Sequence, residues 1–176
     1  MKGASRLARR MDDESHGLAP WFGFLQSLFQ KNRPWGEAGH LLLCLGLVGR
    51  NADVKGLAVD ALIDGIDGRL FDPRAFVEVM TRLCAGQWVK LNRLAEGLLR
   101  VAQVSALHAR VVSEALQTWL PLLDLQDRGA FHLLEVLVEI QAVTRRPLAE
   151  PAQAALRSVR GSGKTAKLAK DLLRAA

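Results

Sequence analysis

The residues from Gly161 to Thr165 (Gly-Ser-Gly-Lys-Thr) match the second half of a phosphate-binding loop. In such loops the glycines let backbone N–H groups surround the phosphates, while the lysine and threonine reach phosphate and magnesium. The full pattern needs a glycine at position 158, which is Ser158 here, and a preceding strand, whereas the apolar spacing over 153–160 is helical. We therefore expect a flexible turn that leads into a C-terminal helix.

A second candidate for chemistry is formed by His132, Glu135 and Glu139, which have the spacing of one helical face. Such a cluster makes a metal or acid–base site only if other helices supply further ligands. A solvated polar stripe explains the same spacing, and we favour that interpretation.

Asp60, Asp64 and Asp67 also share one face of a predicted helix. They could accept a divalent cation or a basic partner, but the glutamate that completes a calcium-binding loop is missing after them. An exposed polar helix face explains them equally well.

The chain offers no clear nucleophile. Ser27, Ser105 and Ser113 lie in predicted helices or at a cap, without the strand–turn–helix elbow that exposes a catalytic serine. We therefore predict that the protein is not an enzyme and uses neither a cofactor nor a metal ion.

The charge of the chain is concentrated at its C-terminal end. The 176 residues carry 24 basic and 18 acidic side chains, a formal net charge of +6. Residues 145–176 hold eight basic and two acidic side chains, whereas residues 1–20 have a net charge of +1 and residues 21–144 a net charge of −1. The body of the protein is thus close to neutral, although the whole chain is basic.

Several features predict a soluble cytoplasmic protein. Cys44 and Cys84 lie within apolar helical segments, which indicates buried thiols in a reducing compartment. The acidic run 12–14 interrupts the N-terminal segment where a secretory signal would be apolar. The longest apolar run, 41–49, is about half the length of a bilayer span.

Apolar residues follow helical spacing nearly everywhere, and no segment alternates like a half-buried strand. Short linkers between the predicted helices favour antiparallel neighbours. Pro121 should kink or fray the helix that contains it. The predicted helices are 21–31, 37–48, 54–66, one from Asp72-Pro73 to Gly86, 88–104, 106–123, 127–146, and two short ones after Pro151 and Gly163.

Parts of this pattern resemble HEAT repeats. The segment from Asn51 to Leu62 is similar to the turn and second helix of such a repeat, and its Val54-Lys55 pair recurs as Val89-Lys90, 35 residues later. The segment 86–99 also resembles stretches of large uncharacterised bacterial helical-repeat proteins. The resemblance covers about residues 37–146 and implies a scaffold without a specified activity.

The fold class that this implies is all-α. It is a short right-handed α-solenoid of antiparallel helix pairs, HEAT-like, with about eight to ten helices. Residues 20–146 would form the repeat body, after a charged and partly disordered lead-in (1–19) and before a basic helical cap or tail (147–176). An irregular helical bundle is the alternative.

If the second helix of each pair lines the concave surface, its charges alternate from acidic to basic to acidic. A mixed surface suits a protein partner better than the continuous negative charge of a duplex. We therefore predict a non-catalytic scaffold for protein–protein interaction, either complete or as the C-terminal part of a larger solenoid. The predicted partner-binding residues are Asp60, Asp64, Lys90, Arg93, Arg100, Glu135 and Glu139.

Three further expectations remain. The very apolar helix 21–31 could mediate self-association. The basic C-terminal helix could bind a nucleic acid or an anionic surface, and a HEAT-like nucleic-acid repair enzyme is a third hypothesis. The predicted anion contacts are Arg157, Arg160, Lys164, Lys167, Lys170 and Arg174.

Overall fold

Helical spacing along the chain gives helices in the computed structural model, which describes residues 46–47, 52–69, 71–74, 76–77, 91–127 and 129–175. In these ranges there is no strand, so the predicted all-α class is confirmed. The helix 21–31, the lead-in 1–19 and both cysteines lie outside the described residues. The helices are α1 (Ala52–Asp67), α2 (Leu91–Ala102), α3 (Ala106–Trp119), a 3-10 turn (Leu120–Leu122), α4 (Ala130–Thr144), α5 (Glu150–Ser158) and α6 (Lys164–Ala175).

The ends of α3 follow from two residues. Ser105 caps its N-terminus, because the Ser105 hydroxyl accepts a hydrogen bond from the backbone N–H of His108 at 3.3 Å. The helix ends at Trp119, and Pro121 lies in the 3-10 turn that follows. Proline has no N–H to donate and its ring clashes with the preceding helical turn, so the predicted helix 106–123 ends four residues early.

The start and end of α4 also have local causes. Asp127 accepts a hydrogen bond from the backbone N–H of Gly129 at 2.8 Å, which forms a turn immediately before the helix. At the other end Arg145 adopts the left-handed conformation, with φ of 49°, and its N–H bonds to the carbonyl of Gln141. The helix is therefore shorter at both ends than the predicted 127–146.

The helices pack in a row with a partial second layer. α1 packs against α2, α2 against α4, and α4 against α6, and we call these four helices the row. α3 contacts α1, α2 and α4 of the row, and α5 contacts both α3 and α6. The core lies between these layers, and Trp119 is 1% exposed there, as its apolar neighbours predict.

Three helices of the row share one pattern of buried positions. The pattern of α1 recurs in α2 at a spacing of 36 residues and again in α4 after a further 39. The first step is one residue longer than the 35 suggested by the two Val-Lys pairs. The buried residues are Ala58, Val59, Ala61, Leu62, Gly65 and Ile66 in α1; Leu94, Ala95, Gly97, Leu98, Val101 and Ala102 in α2; and Leu133, Leu134, Val136, Leu137, Ile140 and Gln141 in α4.

Candidate functional site

A groove of about 460 Å³ lies on the row, where α2, α4 and α6 meet. It combines an apolar floor with a polar rim that is mostly acidic. The floor is formed by Ala95, Leu99, Val136, Val138 and Leu168. The rim is formed by Asn92, Glu96, His132, Glu135 and Glu139.

Glu135 is the most connected residue of the rim. Its Oε1 atom lies 2.5 Å from Nζ of Lys164 at the start of α6, and its Oε2 atom lies 3.5 Å from Nδ1 of His132. The same Lys164 ammonium group lies 4.2 Å from the centre of the Phe131 ring, within the range of a cation–π interaction. Glu135 and Phe131 therefore hold the start of α6 against α4.

Glu96 forms the corresponding link between α1 and α2. Its carboxylate contacts the ammonium group of Lys55, a residue that is only 4% exposed, whereas the Glu96 side chain is 61% exposed. The hydrogen bond from Lys55 lowers the pKa of Glu96 against a smaller opposing effect of burial, and the charges of Arg93 and Arg100 lower it further. Glu96 therefore remains ionised and compensates the buried ammonium group.

The shared burial pattern aligns three acidic residues along the row. Asp60, Glu96 and Glu135 occupy the same position of the pattern on α1, α2 and α4. Glu96 and Glu135 each bind a lysine from a neighbouring helix of the row. Glu139, one turn beyond Glu135, is exposed and forms no ion pair with any residue that the structure describes.

Of the seven predicted partner-binding residues, the structure brings only Glu135 and Glu139 into the groove. The other described members lie elsewhere on α1 and α2, and Lys90 lies outside the described residues. Asn92 and Glu96 also belong to the groove, although they are not among these seven residues. The sequence carries one signal for Glu96, since it occupies the position of Asp60 in the burial pattern. The residues that lie elsewhere are Asp60, Asp64, Arg93 and Arg100.

The glycine-rich segment forms a turn, as the sequence predicts. Gly161 has a φ of 104°, a conformation that favours glycine, and the helix α5 rather than a strand precedes it. Lys164 contacts Glu135 and Phe131, so its ammonium group serves the packing of α6. The contact of Lys164 with an external anion stays a prediction, and in the structure this ammonium group is paired with Glu135.

The other predicted anion contacts divide into two groups. Arg157 donates to Glu150 at 2.9 Å and to Gln153 at 2.7 Å. Arg174 lies 3.8 Å from Asp171 in an exposed pair. Arg160, Lys167 and Lys170 are exposed and form no ion pair within the described part of the chain.

The structure also brings Asp67 close to Ser105 and His108, a proximity that the sequence does not indicate. Oγ of Ser105 lies 2.6 Å from Nδ1 of His108, which is 2% exposed, and Nε2 of that ring lies 3.3 Å from Oδ1 of Asp67 without hydrogen-bond geometry. The Ser105 hydroxyl therefore forms a hydrogen bond with the His108 ring in addition to the cap hydrogen bond from the His108 backbone. These three side chains connect the end of α1 to the start of α3.

A family model described as a domain of unknown function, DUF7825, matches residues 4–174. The chain belongs to this family. No curated protein and no solved structure gives a significant match to it. Every residue that lines the groove, from Asn92 to Leu168, lies within the DUF7825 match.

Two properties of this DUF7825 domain bear on its chemistry. In the described ranges no three histidine, cysteine, aspartate or glutamate side chains are arranged to hold a metal ion. None of the helices described combines the length and the apolar character that crossing a membrane requires.

Proposed function

We propose that this DUF7825 domain is a non-catalytic helical-repeat scaffold that binds a protein partner in the groove between α2, α4 and α6. The observation that carries the proposal is the combination of an apolar floor with an acidic rim in one groove. Such a groove takes an amphipathic segment, because apolar side chains fill the floor while charged side chains meet the rim.

The repeat pattern supports a scaffold of the HEAT type. Buried positions recur at 36 and 39 residues in helices that pack consecutively, which is the spacing of stacked helix pairs. A short right-handed solenoid built in this way presents the row as one continuous surface.

The charges of the groove indicate the chemistry of the partner. Glu139 is unpaired among the described residues, and it stands beside the apolar side chains of Val136 and Val138. We therefore expect a partner segment that carries lysine or arginine next to apolar residues. The rim charge would act mainly on the rate and selectivity of association, and the apolar floor on the lifetime of the complex.

The ion pairs of the rim support a binding role over catalysis. Lys55 and Lys164 bind the carboxylates of Glu96 and Glu135 and connect neighbouring helices. These charged groups connect the helices of the row, and the groove between them is then available as a binding surface.

Photo-crosslinking in native cells tests the proposal. We would place p-benzoylphenylalanine at Asn92, which is exposed at the groove, and at Thr118, which is exposed on α3 outside the groove. We expect a discrete protein adduct from position 92 and none of the same mass from position 118. Equal adducts from both positions, or no discrete adduct from position 92, would contradict a partner-binding groove.

A pair of charge variants sharpens this test. Glu139→Lys reverses the unpaired rim charge, and Glu114→Lys makes the same change on α3, where Glu114 forms only an exposed pair with Arg110. We expect Glu139→Lys to reduce the adduct from position 92 at least severalfold, and Glu114→Lys to leave it unchanged.

A further inference from the structure

We propose that the exposed edge of α6 binds the phosphodiester backbone of a nucleic acid, at a site separate from the groove. A surface cleft of about 320 Å³ lies along this edge. Its polar lining comes from the turn before α6 and from the exposed face of the helix: Gly161, Ser162, Lys167, Lys170, Asp171 and Arg174.

The cations of the cleft are available to a ligand. Lys167 and Lys170 form no ion pair with any described residue, and the Arg174 side chain is 80% exposed beside Asp171. Lys164, by contrast, is held by Glu135 and lies outside the cleft lining. The cleft therefore carries three basic groups against one carboxylate.

The spacing of these cations fits a repeating anion. Lys167 and Arg174 are seven residues apart, which is about 10 Å along a helix. One strand of duplex DNA advances about 3.4 Å per phosphate along its axis, so this length covers about three intervals between four consecutive phosphates. The length over which the three cations are spread thus matches a short run of consecutive phosphates in a phosphodiester chain.

The packing of α6 favours a nucleic acid over a lipid surface. A helix that binds a membrane inserts its apolar face among the lipids. The apolar side chains Ala166, Ala169 and Leu172 are buried within the protein, where α6 packs against α4 and α5. Insertion would require α6 to leave these contacts, whereas phosphate binding uses only the exposed face.

The lining favours contacts to the phosphate backbone over stacking on bases. None of the side chains that line the cleft is aromatic or carries a carboxamide, so it offers neither a stacking surface nor the amide pair that reads adenine. Asp171 repels phosphate, which limits the affinity.

The test is fluorescence anisotropy of a fluorescein-labelled, mixed-sequence 20-nucleotide single strand with the full chain. With three phosphate contacts, log affinity should fall with log salt at a slope of about −2, which is about a 20-fold loss between 50 and 200 mM NaCl. Lys167→Gln with Lys170→Gln should weaken binding about tenfold at 50 mM and reduce the slope by about 1.4.

Two control variants separate the cleft from general charge. Arg145→Gln with Arg146→Gln removes the same charge from an exposed segment outside the cleft and should change affinity less than twofold. Asp171→Asn should tighten binding about two- to threefold, because it removes the carboxylate from the cleft.

Three results would overturn the proposal. The first is equal weakening by the two double variants, which would indicate non-specific attraction. The second is the absence of oligonucleotide binding at 50 mM NaCl, which would show that the edge of α6 is a solvated helix face. The third is binding to phosphatidylcholine vesicles containing one quarter phosphatidylserine without binding to the oligonucleotide, which would assign the cleft to a lipid surface.

Discussion

The ammonium group of Lys55 on α1 contacts the carboxylate of Glu96 on α2, and the lysine is buried while the glutamate is largely exposed. This contact has a counterpart at the other end of the row, where Lys164 contacts Glu135. In each case a lysine contacts a glutamate on the neighbouring helix of the row, and the two glutamates occupy the same position of the burial pattern. The rim of the groove therefore also stabilises the packing of the row.

Removal of the Glu96 carboxylate should destabilise the fold more than removal of both charges. Glu96→Gln leaves a buried ammonium group without its partner, and we expect a loss of about 1–2 kcal/mol, reduced from the usual cost because the glutamate is exposed. Adding Lys55→Met should recover much of the lost stability, since an apolar side chain of similar shape needs no charged partner. Urea denaturation measures both changes, and a double variant less stable than Glu96→Gln would contradict the prediction.

The contribution of Glu96 should depend on pH. Its folded pKa is lowered from the ordinary value of 4.5, so the stabilisation is fully present above about pH 4.5 and is lost as pH falls through the folded pKa. The difference in free energy of unfolding between the native chain and Glu96→Gln should therefore shrink towards zero as the carboxylate protonates. Urea titrations from pH 7 to pH 3 test this, with Glu114→Gln as a control for the loss of an exposed carboxylate. A difference that stays constant over this range would refute the prediction.

A larger residue at Gly97 should destabilise the fold. A Cβ atom at this position would lie 2.7 Å from Cδ2 of Leu47, whereas a Cβ atom at Gly56 would meet nothing within 4 Å. We expect Gly97→Val to destabilise the fold by about 1–3 kcal/mol through overpacking. Gly56→Ala should instead stabilise α1 by about 0.5–1 kcal/mol, because it removes a helical glycine.

A second substitution tests whether the clash with Leu47 causes the destabilisation by Gly97→Val. Combining Gly97→Val with Leu47→Ala should cost less than the sum of the two single changes, because the alanine makes room for the new side chain. Strict additivity in urea denaturation would show that Leu47 is not the obstacle.

Ser105 should contribute to stability as a helix cap. Ser105→Ala removes the acceptor for the His108 N–H and the partner of Nδ1, so we expect a loss of about 1 kcal/mol, or about 2–4 °C in Tm. Ser105→Asn keeps a capping oxygen and should lose less. Equal Tm values for the alanine and asparagine variants would argue against the cap.

The sequence predicts the helices well because a buried helix face leaves a local pattern. The apolar spacing around Trp119 predicts a buried residue, and Pro121 predicts a disturbance near the end of α3. Both are consequences of neighbouring residues within about one turn. Local patterns of this kind fix which face of a helix is apolar.

The composition of the groove could not be predicted in the same way. Lys55 and Glu96 are 41 residues apart, and Lys164 and Glu135 are 29 apart, so each contact depends on which helices become neighbours. A lysine after a glycine-rich turn has the pattern of an exposed cation, and only the packing of α6 on α4 places Lys164 at Glu135. The Val-Lys pairs also misplace the repeat by one residue, because the buried Lys55 corresponds to Leu91 at the 36-residue spacing and not to Lys90.

Leu168 supplies the α6 part of the apolar floor, so the groove is complete only while α6 is docked on α4. A partner that fills the groove therefore binds the docked state alone and shifts the local opening of α6 by mass action. The amide hydrogens of α6 should then exchange more slowly with solvent when the partner is present, although most of the groove lies on α2 and α4. Binding of the partner and docking of the C-terminal helix are therefore thermodynamically coupled.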